Sequence, residues 1–177
     1  MRPDSYMDWD WTATAFIALG SNVGDRARVL QEAMKQVAAF SAGRVALSSI
    51  WITTPVDCPP GSSLFLNAAM GLTPATGVKP EELLHQLLRL EKEWGRKPKI
   101  VLNEPRPLDL DLIAFGQCTR NTAQLILPHP RAHLRRFVLQ PLSEIAPHLV
   151  LPGLTRTVVE LLRDLPADAA MRRCTEV

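Results

Sequence analysis

The sequence predicts an α+β domain of ferredoxin-like architecture, a βαββαβ core followed by an extra C-terminal hairpin and helices. Three observations predict it. Apolar, strand-like runs and amphipathic helical stretches follow one another in the order β-α-β-β-α-β, that of the split βαβ unit. The two helical stretches open on recognisable start signals at Asp25 and Pro80 and carry apolar residues at 3-and-4 spacing. A chain of 177 residues, 46% of them apolar, is most simply one globular domain with a real core. Residues 12–177 are assigned to that domain, and residues 1–11, polar with isolated aromatics, to a flexible extension.

Residues 12–19 form the first buried strand. It stops at the turn-rich run Gly20-Ser21-Asn22-Val23-Gly24. That run is no P-loop, because no Lys-Ser/Thr follows its second glycine. Asp25 caps the first helix, Val29, Leu30, Ala33, Met34, Val37 and Phe40 give it a core-facing stripe, and Gly43 is read as its C′ residue. Residues 45–53, rich in apolar and β-branched side chains, form the second strand. A long loop follows, stiffened by Pro55, Pro59 and Pro60, and loops of this length are often functional. Residues 64–72 form the third strand, with one polar side chain, Asn67, on an apolar run. Its carboxamide needs up to four hydrogen bonds, met either by nearby backbone or by a ligand with an amide-like edge. Phe65 lies on the same face two residues earlier, a flat wall beside it. Pro80 at N1, with Glu81 and Glu82 in the first turn, opens the second helix. Leu83, Leu84, Leu87, Leu88 and Leu90 form its stripe, and Gly95 ends it.

The fourth strand, residues 108–115, carries the chemistry. Strict alternation places Leu108, Leu110, Leu112 and Ala114 on one face and Asp109, Asp111, Ile113 and Phe115 on the other. The two carboxylates then stand roughly 7 Å apart at their Cα atoms, at about 3.3 Å rise per residue. Like charges that close in an apolar strand repel and lose hydration, so one pKa rises unless a cation intervenes. Arg96, Lys97, Lys99 and Arg106 precede the strand, and His129, Arg131, Arg135 and Arg136 follow it. Hard carboxylate oxygens among cationic side chains suit Mg²⁺ carrying a phosphorylated ligand. The basic loop of residues 96–107 leads straight into Asp109 and reads as a phosphate clamp, toward which Glu91 leans from the end of the second helix.

Beyond that strand, Gly116-Gln117 forms a turn, and residues up to Leu127 add a short strand. His129 and His133 have the i,i+4 spacing of a zinc pair, but Pro130 disturbs the helix start and no third ligand is evident. His129 is therefore read as a phosphate donor, His133 and His148 as surface residues. Residues 135–139 join two arginines to Phe137, a pairing suited to an anion bearing a flat ring, and residues 144–147 end a short helical turn. Residues 158–165 form a terminal helix, and the polar residues after Pro166 are read as frayed.

Composition excludes several classes. The net charge of +2 does not argue for nucleic acid. Cys58, Cys118 and Cys174 are odd in number and outside any C-x-x-C pattern, so they read as free thiols in a reducing compartment. Residues 1–10 lack the apolar core of a secretory signal, and no apolar stretch approaches a membrane span. The expected setting is the cytoplasm.

The chain resembles the 6-hydroxymethyl-7,8-dihydropterin pyrophosphokinase family of folate synthesis. The likeness rests on Ala18-Leu19-Gly20-Ser21-Asn22-Val23-Gly24-Asp25, Thr54-Pro55, Phe65-Leu66-Asn67-Ala68, and Pro105-Arg106-Pro107-Leu108-Asp109-Leu110-Asp111. It continues in Pro128-His129-Pro130-Arg131 and through residues 135–147. The resemblance implies a monomeric enzyme in which the pterin's hydroxymethyl oxygen attacks the β-phosphorus of ATP and AMP leaves, with two Mg²⁺ ions. By position, it implies Asp109 and Asp111 as metal ligands and, with Arg96 and Arg106, as the catalytic group. Arg96, Arg106, His129 and Arg135 match ATP contacts, chiefly to phosphates, and Glu91 and Leu112 join them in the nucleotide site. Asn67 matches the reader of the pterin's amide edge, Phe65 and Phe137 the rings that sandwich it, and Thr54, Pro55, Val56 and Asp57 the loop lining that pocket.

The chain departs from the family pattern at Pro98, Leu102 and Glu104, removing two cations and adding a carboxylate in the basic loop. Lys97 or Lys99 supplies a point charge there without arginine's fork. A binding module on the same fold with weak or lost turnover, and a pyrophosphokinase of a related pterin pathway, are the alternatives. An RNA-binding sheet is disfavoured, since the aromatic strand motif of such domains is missing.

Overall fold

A computed structural model describes residues 9–96 and 106–175. The departures at Pro98, Leu102 and Glu104, together with Lys97 and Lys99, lie outside the described residues, as does most of the proposed flexible extension.

The elements follow in the order β1 (Ala15–Ser21), α1 (Arg26–Ala38), β2 (Val45–Leu47), β3 (Trp51–Thr53), β4 (Phe65–Leu72), α2 (Pro80–Glu93) and β5 (Asp109–Phe115). They continue with β6 (Arg120–Asn121), β7 (Ile126–Leu127), α3 (Arg136–Ile145), α4 (Val158–Asp164) and β8 (Arg172–Arg173). One antiparallel sheet runs β5-β1-β4-β3-β8, with β2 also on β4, and β6 pairs with β7 apart from it. The described residues form a mixed α/β fold with an antiparallel sheet and four α-helices.

Helices cover both faces of the sheet, which is why β1 and β4 are apolar almost without alternation. One core gathers Ile17, Leu19, Met70, Leu110 and Leu112 against Leu30, Val37, Leu83 and Leu87 of α1 and α2. The other gathers Phe16, Ala69 and Ile113 against Val138, Leu139 and Leu142 of α3 and Val158 and Leu162 of α4. α3 tolerates Pro141 in its interior, and Thr157 and Glu160 close a reciprocal capping box on α4.

Several expectations change on the structure. The alternation of β5 holds only to Leu112, because Ile17 pairs with Leu112 while Phe16 pairs with Ala114. Ile113 is thus an extra residue, a bulge that turns Ala114 into the α3-side core and Phe115 toward the other. The second strand is two strands, β2 and β3, separated where residues 48–50 of the edge face residues 68 and 69 of β4. The Ser48 hydroxyl accepts from the Ala69 N–H at 2.8 Å, replacing the ladder bond. α1 ends at Ala38, and Gly43 lies beyond it, its missing Cβ making room for Thr73. Leu88 faces solvent, outside the buried stripe of α2. Residues 9–11 are held down rather than loose, since Trp9 is buried and stacks on Trp11. Residues 167–175 are not frayed: β8 extends the sheet. His148 is exposed as expected, but His133 is half-buried in a 3₁₀ turn.

Candidate active site

The sheet register assembles the site. Asp109 of β5 lies opposite Gly20 of β1, and Gly20 lies opposite Asn67 of β4, so one row across three strands carries both polar side chains. Gly20 is required between them: a Cβ there would stand 3.0 Å from Asn67 Oδ1 and 3.9 Å from Asp109 Cβ. Asp111, two residues on, shares the face of Asp109.

A cavity of about 210 Å³ opens over this row. Eleven of the residues singled out in the sequence line it: Asp109, Asp111, Arg96, Arg106, Thr54, Val56, Phe65, Asn67, His129, Arg135 and Phe137. Pro55, Asp57, Glu91 and Leu112 do not line it. The side chain of Leu112 is a correction: it is core, on the face opposite Asp111, as period 2 demands. Asp57 adopts a left-handed backbone with φ of 55°, the bend that turns the loop at the cavity's mouth. Thr53, Cys58 and Arg131 also line the cavity. In the sequence Arg131 is only one of the cations that follow the aspartate strand, and its place in the cavity lining beside Arg135 makes it part of the site.

Charge in the cavity is unbalanced. Arg96 and Arg106 approach Asp109 at 3.1 and 3.3 Å, and Arg135 approaches Asp111 at 3.8 Å. With Arg131, four arginines line the cavity against two carboxylates among the described residues. Arg106 Nε is buried with no protein partner among the described residues, a donor left for a ligand. Burial, then the neighbouring Asp109, pushes the Asp111 carboxyl up to about 6, and Arg135, Arg106 and Arg96 offset that rise only in part. Some 35% of its side chain remains open to solvent, which moderates that penalty.

His129 is held by its own N–H to the Ile113 carbonyl at 2.8 Å. Burial, then Arg135, lowers its pKa to about 4, so the ring is neutral at physiological pH. Its Nδ1 accepts from the Arg131 N–H at 3.2 Å, which leaves the proton on Nε2, a neutral donor.

Two residues behind the cavity fix its walls. Asn22 is buried in the β1–α1 turn, and its Oδ1 accepts from the Arg106 N–H at 2.9 Å. The Gly-Ser-Asn run thus fastens the approach to β5. Glu91 is buried rather than solvated: it accepts from the Leu110 N–H at 2.7 Å and pairs with Arg96. Burial raises its pKa to about 7 despite that partner. Asn67 donates to the Thr53 hydroxyl at 2.7 Å, which orients the carboxamide along the cavity wall. Phe65 and Phe137 line the cavity too, with the Arg135 guanidinium 5.4 Å from the Phe137 ring.

Among the described residues no group of three or more His, Cys, Asp or Glu side chains converges as a metal site. Among the described residues that line the cavity, the two aspartates are the carboxylate donors, a partial set that suits Mg²⁺ when ligand phosphates complete the shell.

An antiparallel sheet presenting paired carboxylates, four arginines, a fixed carboxamide and two aromatic rings to one cavity defines a site for a polyanion beside a flat polar ring. The family model for 7,8-dihydro-6-hydroxymethylpterin-pyrophosphokinase (HPPK) matches residues 16–147, and the chain belongs to that family. It is 42% identical over 132 residues to the 2-amino-4-hydroxy-6-hydroxymethyldihydropteridine pyrophosphokinase of Bacillus subtilis, covering 74% of this chain and 77% of that one. It is 38% identical over 158 residues to the protein of that name from Methylorubrum extorquens, covering 89% of this chain and 97% of that one. Its fold matches a Plasmodium falciparum HPPK-DHPS structure with pteroate at a TM-score of 0.70 and 12% identity, covering 90% of this chain. The chain spans about half of that longer protein, 47% of its length. Among the described residues no helix is long and apolar enough to cross a membrane.

Proposed function

We propose that the chain transfers a pyrophosphoryl group from ATP to 6-hydroxymethyl-7,8-dihydropterin and releases AMP, with Mg²⁺ bound at Asp109 and Asp111. The observation that carries this reading is the row Asp109–Gly20–Asn67, which sets the phosphate-side carboxylates two strand spacings from a fixed carboxamide. The names of the relatives support it independently.

Asn67 meets the amide edge of the pterin, Phe65 and Phe137 close on its two faces, and the loop from Thr54 to Asp57 completes that pocket. The hydroxymethyl oxygen then points toward Asp109 and Asp111. Arg96, Arg106 and Arg135, with His129 as a neutral donor, hold the triphosphate and neutralise charge as AMP departs. Glu91 acts on the nucleotide side through Arg96. Phosphoryl transfer is mostly positioning and electrostatic stabilisation, so arginines preset around the phosphates lower the barrier without a covalent intermediate. Mg²⁺, when bound, supplies Lewis-acid polarisation of the phosphoryl oxygens. Arg96 and Arg106 pair with Asp109, which holds both guanidinium groups at the phosphate side of the cavity.

The spatial order β5-β1-β4-β3 with all neighbours antiparallel supports the ferredoxin-like assignment of residues 12–177, to which α3, α4 and the β6–β7 hairpin are additions. A monomer in the cytoplasm is part of the same proposal. The test is incubation with ATP, Mg²⁺ and 6-hydroxymethyl-7,8-dihydropterin. AMP that forms with the parent chain and not with Asp109→Ala is the expected result. Pterin binding without AMP supports a binding module, and turnover of a different pterin moves the reading to a related pathway. Binding of neither substrate ends it.

A further inference from the structure

The last described segment, residues 166–175, lies beyond the residues matched by the family model and yet reaches the cavity's pterin loop. It is fastened at three places. Arg136, next to Phe137 on α3, donates to the carbonyls of Leu162 at 3.0 Å and Pro166 at 2.6 Å and also to that of Leu165, which fixes where the segment leaves α4. The Asp168 carboxylate then accepts from the Thr54 N–H at 3.0 Å through Oδ2 and from the Ala170 N–H at 3.0 Å through Oδ1. Finally β8 pairs with β3, the Cys174 N–H donates to the Ile50 carbonyl at 2.8 Å, and Arg173 pairs with Glu144 while lying over the Trp51 ring.

Thr54 is where β3 hands the chain to the loop that lines the cavity. Among the described residues the ladders of β3 end at Thr53 on the β4 side and at Ile52 on the β8 side, so the Thr54 N–H has no ladder partner. Asp168 takes that role from a segment far off in sequence. Its two oxygens serve the loop and the segment's own turn together, so neither can shift without the other.

We propose that residues 166–175 form a positioning strap in which Asp168 fixes Thr54 and so sets the pterin side of the cavity, leaving the phosphate side alone. Asp168 touches no reacting group; it acts through Thr54. This rests on the reading of the Thr54 loop as the pterin wall.

The test uses the full chain with Asp168→Ala and Asp168→Asn, the second keeping one of the two accepting oxygens. Steady-state AMP release is measured against each substrate, and amide hydrogen exchange is followed at residues 54–58. Loss of one charge-assisted bond at a partly exposed site predicts a three- to tenfold rise in the KM for the pterin, roughly the factor such a bond contributes. The KM for ATP and kcat stay within about twofold, exchange at residues 54–58 accelerates in Asp168→Ala, and Asp168→Asn, with one accepting oxygen for two N–H donors, falls between the parent and Asp168→Ala in pterin KM and in exchange. An unchanged exchange rate, or a rise in both KM values together, overturns the strap. If Asp168→Ala does not fold, Arg173→Ala, which loosens β8 farther from the cavity, is read by the same two measures and decides in the same way. A parent chain that releases no AMP defeats the catalytic reading alone, because exchange at residues 54–58 still reports on the strap.

Discussion

Asn67 shows how much a single side chain does here. It is buried, its Nδ2 is committed to the Thr53 hydroxyl, and its Oδ1 is crowded by the position a Gly20 Cβ would take. A carboxamide so constrained is preorganised for one partner geometry. Asn67→Ala is expected to weaken pterin binding at least tenfold, the scale of one lost buried hydrogen bond, with ATP affinity kept within about twofold. Separate calorimetric titrations measure this, and equal loss of both affinities would assign Asn67 a structural role. Asp111 carries the opposite kind of prediction. Its folded pKa is raised above the unfolded value of 3.8, so the folded form binds the proton more tightly. Its contribution to stability therefore falls as pH rises from about 4 through 6, and at neutral pH the ionised carboxylate destabilises the metal-free protein. Asp111→Asn removes that penalty. After discounting for its solvent-open surface the gain is about 1 kcal/mol, or roughly 2–4 °C in Tm, with AMP formation lost. A thermal melt without Mg²⁺ at pH 7.5 checks the sign, and a lower Tm would refute the argument. The same proton competes with Mg²⁺, so metal affinity should climb between pH 5 and 7.

At the scale of elements, the instructive join is between the end of α2 and the start of β5. A carboxylate near a helix C-terminus is unfavourable in isolation, yet Glu91 is nearly inaccessible, at 1% exposure, because it serves a backbone donor of the next strand. Its raised pKa says that the charge itself is tolerated rather than favoured there. Glu91→Ala orphans the Leu110 N–H and should cost about 1–3 kcal/mol in urea unfolding. Glu91→Gln keeps the acceptor without the charge and should cost far less. If the two cost the same, the pair with Arg96 outweighs the backbone bond. The bulge at Ile113 works at this scale too, since it lets one strand face the site with Asp109 and Asp111 and then feed both cores.

Over the whole molecule, two helical layers clamp the sheet while the cavity gathers side chains from β1, β3, β4, β5, α3 and the loops between them. Ligands that bind only this assembled state stabilise it by mass action. ATP with Mg²⁺ at about 100 times its Kd should add about 2.7 kcal/mol, or roughly 5–10 °C in Tm. That shift should vanish in Asp109→Ala and shrink when Mg²⁺ is chelated. Differential scanning fluorimetry reads both, and an equal shift with and without Mg²⁺ would remove the metal from the binding step.

What the sequence determined by itself is whatever rests on local period and end signals. Asp25 and Pro80 mark the helix starts, and Asp109 and Asp111 share a face because period 2 is a property of the backbone. Phe65 and Asn67 were legible for the same reason. What only the tertiary structure decided depends on partners distant in the chain. The Ile113 bulge, the break between β2 and β3, the burial of Glu91 and the docking of residues 166–175 are fixed by opposing strands and helices, which no local pattern encodes. Gly20 makes the division plain: as a residue it reads as a turn, and only register, which pairs residues dozens of positions apart, shows it as the gap that lets Asn67 and Asp109 share one cavity.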